Sequence, residues 1–222
     1  MKILSISTSS NIASVALSED DKCILELNID NNKTHSETLM PLVAELIKKT
    51  NIELSDVDLI ACDVGPGSFT GIRIGISSIK AIAQSLNVPV VSVTSLEALA
   101  FNIQDLDCKT ICSLIDARNN QVYCGIFNKD YTLLEEYIAD DINVVIEALA
   151  KYDNTIFVGD GAETHKGLLG IKDFPYENSI HSKNISKCAY RKYKENKIDT
   201  ADSITPLYLR KSQAERMKQK NG

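Results

Sequence analysis

A glycine-rich turn is the segment of this chain best suited to binding an anion. It lies between an apolar strand-like run and a helix-like run, at Gly65–Gly71. Where a strand turns into a helix, backbone N–H groups are left unpaired beside the positive end of the helix dipole. The candidates for holding a phosphate or a nucleotide are therefore Gly65, Gly67, Ser68, Thr70 and Gly71. The same pattern is equally consistent with a tight turn and a helix cap, and no Lys-Ser/Thr pair follows it as in a P-loop.

Carboxylates are the other groups that phosphoryl transfer would need, because they hold a metal or position water. At the end of the first strand-like run, the polar side chains of residues 5–10 are all hydroxyls. Asp116 and Asp160 follow later strand-like runs and are the candidates to face a cleft. Asp116 is also consistent with a turn cap or with an ion pair to Arg118.

Residues that could ligate a metal are few. None of the three histidines, His35, His165 and His181, has a second ligand four residues later, so we expect them to be surface side chains. The six cysteines contain no CxxC pair and lie mostly in apolar runs, which predicts buried, reduced thiols. We therefore expect no metal site in this chain.

The composition is that of a soluble globular protein. The 222 residues are 44% hydrophobic and 24% charged, which is enough for one full core or two small ones. The apolar stretch at the start is too short for the core of a signal peptide, and no run approaches transmembrane length. Together with reduced cysteines, these features predict a cytoplasmic protein.

Charge is distributed unevenly along the chain. Residues 187–222 contain ten basic and four acidic residues, a net charge of +6, whereas the first 186 residues carry −12. A basic tail on an acidic body is typical of contact with RNA or with an acidic protein surface, and the candidate RNA contacts are Arg210, Lys211 and Arg216. A solvated terminus explains the pattern as well, because few aromatic residues are interleaved for base stacking.

Hydrophobic periodicity predicts a mixed sheet in the first half of the chain. The predicted elements are strands at 2–8, 12–18 and 22–29, a helix at 35–50, a strand at 57–64, a helix at 70–86 and a strand at 89–93. The first three strands alternate as an antiparallel meander, and the final strand-helix-strand unit implies parallel pairing. At the first helix, Thr34–Glu37 fits a capping box, and Pro41 implies a kink or a late start.

The second half repeats this order of elements. Ile111–Leu114 falls on Ile3–Ile6, and Gln121–Cys124 falls on Ala13–Ala16. The repeat continues with the end of a meander at 130–138, a helix at 141–151, a strand and turn at 155–161, and a helix at 182–195. We therefore predict a duplicated α/β fold with two lobes, residues 1–106 and 107–222, and a cleft between them.

The predicted helix at 70–86 is apolar on more than one side, so more than one side should be covered. Its isoleucines spread around much of the circumference, while Gly71 and Gly75 keep parts of it thin and permit close helix packing. One apolar side packs on the sheet. The other side packs either inside the core or on another protein.

Several motifs in one order resemble the TsaB family, also called YeaZ, over essentially the whole chain. They are ILSISTSSNIASVAL (3–17), HSETLMPLVAELI (35–47), GPGSFTGIRIG (65–75), VTSLEA (93–98), DARNNQVY (116–123), GDGA (159–162) and PLYLR (206–210). The resemblance implies an actin/Hsp70-like fold, known as ASKHA. It also implies a role in making threonylcarbamoyladenosine beside the anticodon of tRNAs that read codons beginning with A.

In that family the protein is a noncatalytic partner of the related TsaD. TsaD carries two metal-binding histidines, four residues apart, at positions that align with Ser95 and Leu99 here, and neither residue can replace imidazole as a ligand. Many relatives also have Asp at the position of Ser7, and its absence argues against binding of a metal and nucleotide. We therefore expect no cofactor on this chain alone, and expect the complex to use ATP and a metal through its other subunits.

The same resemblance implies docking on TsaD through the helices at 35–50 and 70–86. The predicted interface residues are Leu39, Leu42, Val43, Leu46, Ile72, Gly75, Ile76 and Ile79. The ATPase TsaE is expected to join a larger complex, and tRNA to bind indirectly or through the basic tail. Without TsaD, the same helices could pair with a second copy of this chain in a homodimer.

A kinase or transferase remains the alternative function. It would use ATP in the cleft, with the turns Gly65–Gly71 and Gly159–Gly161 holding phosphates and Asp116 or Asp160 holding magnesium. The two functions differ in what the isolated chain should do. As a noncatalytic partner, the isolated chain should show no turnover. As a kinase or transferase, the isolated chain should bind nucleotide.

Overall fold

Two β-sheets form the centre of the molecule. The computed structural model describes residues 1–31, 33–104, 106–174 and 176–210. Within these ranges, none of the helices combines the length and apolarity needed to cross a bilayer. The mixed α/β architecture with one sheet in each half confirms the predicted fold class.

The first sheet has five strands in the order β3-β2-β1-β4-β5. They are β1 (Lys2–Ser7), β2 (Ala13–Glu19), β3 (Lys22–Ile29), β4 (Leu59–Asp63) and β5 (Val90–Val93). The first three strands form the predicted antiparallel meander, and β4 and β5 add in parallel. Parallel pairing brings the carboxyl ends of β1, β4 and β5 to one edge of the sheet.

Three helices follow strands of the first half: α1 (His35–Thr50), α2 (Phe69–Leu86) and α3 (Ser95–Ala100). At the start of α1, the Glu37 carboxylate accepts a hydrogen bond from the N–H of Thr34 at 3.1 Å, as a capping box requires. The helix begins at His35 and continues through Pro41, so it does not start late. Apolar residues of α1 and α2 share one core with β1, β2 and β4.

The second sheet has the order β8-β7-β6-β9, which repeats β3-β2-β1-β4 and supports the predicted duplication. Its strands are β6 (Thr110–Asp116), β7 (Gln121–Asn128), β8 (Ile138–Asp141) and β9 (Thr155–Val158). The third strand of the meander was predicted at 130–138 but begins only at Ile138. Tyr131 has a φ of 59°, a left-handed conformation that interrupts an extended strand.

Four further helices lie in the described part of the second half: α4 (Ile142–Leu149), α5 (Asp160–Thr164), α6 (Lys166–Leu169) and α7 (Ser182–Lys194). Although α7 lies in the second half, it packs on β1 and β2 of the first sheet. Residues 199–210, which we call the strap, also return to the first sheet. Asp199 forms an antiparallel bridge with Val90, and the N–H of Leu207 donates to Val64 O at 2.8 Å. The predicted boundary at 106/107 separates the two sheets, while α7 and the strap cross back over it.

Candidate docking face and interlobe cleft

The glycine-rich turn between β4 and α2 uses much of its hydrogen-bonding capacity within the protein. The N–H of Gly65 donates to Asp63 Oδ1 at 2.9 Å, and the N–H of Ser68 donates to Ser9 O at 2.7 Å. The N–H of Gly71 donates to Ser68 Oγ at 3.2 Å, which caps α2. These donors are therefore not free for a phosphate, and the turn-and-cap interpretation describes them better.

The glycines of this segment make room for the loop after β1. A Cβ atom at Gly67 would lie 2.2 Å from Ser9 O, and one at Gly71 would lie 2.0 Å from Thr8 O. A Cβ atom at Gly75 would lie 2.4 Å from Thr8 Oγ1. The thin positions of α2 thus admit a loop of the same chain rather than a helix of another protein.

A buried carboxylate, Asp63, lies where the three parallel strands end. It accepts hydrogen bonds from the hydroxyls of Ser7 and Ser95 at 2.6 and 2.7 Å, and also from Ser9. Burial raises the pKa of Asp63, and these hydroxyls together with the N–H of Gly65 oppose the increase. Since Asp63 is only 3% exposed and its oxygens are occupied, it joins strands rather than facing a ligand.

A cleft of about 920 Å³ lies between the two lobes. Residues from both lobes line it, including Ser9, Gly67, Leu99, Asp116, Arg118, Asp160, Asn178, Tyr208 and Arg210. The structure thus places both predicted aspartates at the cleft. Asp116 Oδ1 accepts from the N–H of Arg118 at 2.8 Å, which is the turn cap, and Asp160 Oδ1 accepts from the N–H of Asp116 at 3.0 Å. Burial raises the pKa of Asp160.

The histidines and cysteines are dispersed. His35 lies at the start of α1 beside Ser10 O, His181 pairs with Glu26, and His165 is buried at 7% exposure, contrary to the surface position predicted for it. Five cysteines are buried free thiols as predicted, but Cys23 on β3 is exposed. In the described part of the chain, no group of three or more His, Cys, Asp or Glu side chains could hold a metal ion.

A groove of about 520 Å³ lies on the outer side of α1 and α2, between their N-terminal halves. Its lining residues are His35, Ser36, Leu39 and Met40 of α1, and Phe69, Thr70, Arg73, Ile74, Ser77 and Ser78 of α2. Met40 is 47% exposed and Phe69 is 37% exposed, which is high for large apolar side chains. We call these ten residues the docking face.

The structure corrects the predicted interface residues. All eight of them are buried in the core beneath this face: Leu39, Leu42, Val43, Leu46, Ile72, Gly75, Ile76 and Ile79. Apolar residues at helical spacing were buried against the chain's own sheet, and Leu39 alone also lines the groove. Ile76 is one of these buried residues and is only 5% exposed. Replacing it with a charged residue would therefore disrupt the core and would not test docking.

Arg73 is held at the rim of the docking face by two aromatic rings. Its guanidinium carbon lies 3.9 Å from the centroid of the Phe69 ring, and its Nε donates to the hydroxyl of Tyr208 at 2.7 Å. Phe69 and Tyr208 stack with ring centroids 4.8 Å apart. This cluster joins α2 to the strap, and both rings also line the interlobe cleft.

Of the three candidate RNA contacts, Arg210 lies at the cleft. Lys211 and Arg216 lie outside the described residues. RNA contact by this segment stays a prediction.

Both the sequence and the structure of this chain resemble those of known proteins. The chain matches the TsaD family, described as tRNA N6-adenosine threonylcarbamoyltransferase, over residues 29–217. It is 35% identical to the tRNA threonylcarbamoyladenosine biosynthesis protein TsaB of Bacillus subtilis, and the alignment covers 97% of this chain and 96% of that protein. The chain belongs to the TsaB family. The solved structure of YeaZ from Pseudomonas aeruginosa superposes with a TM-score of 0.80 at 25% identity, covering 94% of this chain and 99% of that one.

A more distant structure shares the TsaB fold. The ADPNP-bound activator of 2-hydroxyisocaproyl-CoA dehydratase from Clostridium difficile superposes with a TM-score of 0.50 at 9% identity, covering 94% of this chain and 100% of that one. At this identity the match shows the fold alone. Together with the YeaZ structure, it confirms the actin-like ASKHA fold that the resemblance implies.

Sequence reasoning missed Asp63, Arg73 and Tyr208. Asp63 could have been found, because parallel strands that end at one edge place it beside Ser7. No pattern in the sequence pairs Arg73 with Tyr208, which lies far along the chain on the strap. Ser95 donates its hydroxyl to Asp63, and Leu99 is 1% exposed.

Proposed function

We propose that this chain is a noncatalytic partner of a TsaD-like threonylcarbamoyltransferase. It docks through the outer side of α1 and α2 and supports formation of threonylcarbamoyladenosine next to the anticodon of tRNAs that read codons beginning with A. Membership of the TsaB family supports the pathway. The exposed docking face is the observation that supports the mode of action.

The spacing of the docking face suits an α-helix as its occupant. On α2, Phe69, Arg73 and Ser77 form one row at intervals of four residues, and Thr70, Ile74 and Ser78 form the next. Rows at this spacing leave a groove that accepts a ridge of another helix. At the end of these rows, the small side chains of Ser77 and Ser78 allow a partner helix to approach the backbone of α2.

The residues near the aligned metal position support a noncatalytic role. The Ser95 hydroxyl is committed to Asp63, and Leu99 is packed in the core. Metal chemistry would then be supplied by the partner. The chain contributes a rigid surface that holds the partner in its active arrangement.

Binding to the TsaD-like protein of the same cell tests the proposal. We would measure the mass of the mixture by light scattering for the wild type, for Met40→Asp on the docking face, and for Leu168→Asp on α6. Leu168 is 61% exposed and lies outside the docking face, so it is a matched control. We expect a complex for the wild type and the control, and at least about tenfold weaker binding for Met40→Asp. No complex with the wild type, or equal binding by all three, would reject the proposal.

A further inference from the structure

Resting on the proposed function, we infer that the docking face is built to receive a carboxylate of the partner helix at Arg73, and that this residue selects the heterologous partner over a second copy of the chain. The observation behind this inference is an arginine that is oriented but unpaired. Two rings hold its guanidinium, yet in the described part of the chain no carboxylate forms an ion pair with it.

The charge of the groove is unusual for this protein. The whole chain has a net charge of −6, and its first 186 residues carry −12. None of the ten lining residues is acidic, and Arg73 is the single formal charge among them. An apolar groove with one fixed cation, on an acidic body, is complementary to an apolar helix that carries an acidic residue.

If a docked helix buried the Arg73 side chain without supplying an opposite charge, the complex would be destabilised. Docking a helix on Phe69 and Ile74 removes water from the guanidinium that lies over the Phe69 ring. A desolvated charge without a partner destabilises a complex. Because Nε already donates to the hydroxyl of Tyr208, and the guanidinium carbon lies over the Phe69 ring, the terminal nitrogens are the donors that remain for a carboxylate. Little side-chain entropy is then lost on binding.

The docking face of a second copy does not meet this requirement. In a two-fold dimer through the docking face, each Arg73 would face the same ten residues of the other copy. Those residues offer no carboxylate. The groove therefore favours a heterologous helix, and Tyr208 of the strap acts as the positioning residue for Arg73.

The test compares charge, shape and salt dependence at this one position. The titrations use the TsaD-like protein with the wild type, Arg73→Glu, Arg73→Met and a control, Lys48→Glu, which makes the same charge change on α1 outside the docking face. Each titration is run at about 50 mM and about 500 mM salt. Circular dichroism checks that every variant is folded.

We expect roughly 30-fold weaker binding or more for Arg73→Glu, a clear loss for Arg73→Met, and little change for Lys48→Glu. Wild-type affinity should fall with salt, and that of Arg73→Met should fall less. If Arg73→Met and Arg73→Glu bind as tightly as a wild type that forms the complex, this inference is overturned while the proposed function stands. If the wild type forms no complex, the proposed function itself fails. Self-association of the chain alone that depends on Arg73 would also overturn the inference.

Discussion

Glu26 and His181 form an ion pair that joins the edge strand β3 to the start of α7. His181 Nδ1 lies 3.1 Å from Glu26 Oε2, and Glu26 Oε1 accepts from the N–H of Lys183 at 2.9 Å. The hydrogen bond to Glu26 raises the pKa of His181 above 6.5, although burial opposes the increase. Burial alone would raise the pKa of Glu26, but the hydrogen bonds from His181 and Lys183 lower it below 4.5.

These shifts predict a pH window in which the pair stabilises the fold. The contribution of His181 is complete below its unfolded pKa and is lost as pH rises through its folded pKa. The contribution of Glu26 is present above its unfolded pKa and is lost as pH falls through its folded pKa. The pair is therefore strongest between the ordinary values of 4.5 and 6.5.

Replacing His181 should matter more in acid than in base. We expect His181→Gln to lower the free energy of unfolding by about 1 kcal/mol at pH of roughly 5.5, and by less at pH of roughly 8.5. Urea denaturation at both pH values measures the difference. A Glu26→Gln/His181→Gln double variant should lose less than the sum of the two single variants. An equal decrease in the free energy of unfolding at both pH values would contradict the assignment of an ion pair between His181 and Glu26.

For single residues, the sequence predicted contacts with nearby backbone groups but not contacts with residues far along the chain. Glu37 at the start of α1 and Ser68 at the start of α2 could be assigned because both lie within three residues of the backbone groups they cap. The hydroxyls around Asp63 come from two separate segments, the end of β1 with the loop after it and the start of α3. Only the pairing of strands brings Ser7, Ser9 and Ser95 to it.

Helices α1 and α2 carry two different faces, and the sequence predicts only one of them. Their apolar periodicity identified the face that packs on the first sheet. The outer face has serines, a threonine, an arginine and a few exposed apolar residues, which give no periodic signal. The sequence thus predicted the bounds of α1 correctly. It did not predict which residues of α1 and α2 are exposed for contact with a partner protein.

Close packing of α2 on the loop after β1 gives a test at the level of the element. Gly75→Ala would place a methyl group 2.4 Å from Thr8 Oγ1, whereas Gly167→Ala on α6 meets no atom within 4 Å. We expect Gly75→Ala to destabilise the fold by about 1–3 kcal/mol, and Gly167→Ala to be neutral or slightly stabilising. Urea denaturation of both variants is the measurement. A Gly75→Ala variant as stable as wild type would show that the loop position is not constrained by α2.

The whole molecule is a duplicated fold whose halves have diverged in their connections. The repeated strand order could be predicted because each half begins with a meander followed by a helix and a parallel strand. The return of α7 and the strap to the first sheet could not, since no local pattern specifies which sheet a late helix will cover. That return places Tyr208 against Arg73 and connects the cleft with the docking face.

We propose that the chain acts by docking rather than by its own chemistry. The most direct measurement is threonylcarbamoylation of tRNA by the TsaD-like protein and the other components of its complex, with the wild-type chain, with Met40→Asp, with Leu168→Asp, and without the chain. We expect full activity with wild type and Leu168→Asp, and no product from this chain alone. With Met40→Asp we expect a loss of at least about tenfold that is recovered at high protein concentration. Full activity without the chain, or with a Met40→Asp variant that no longer binds, would contradict it.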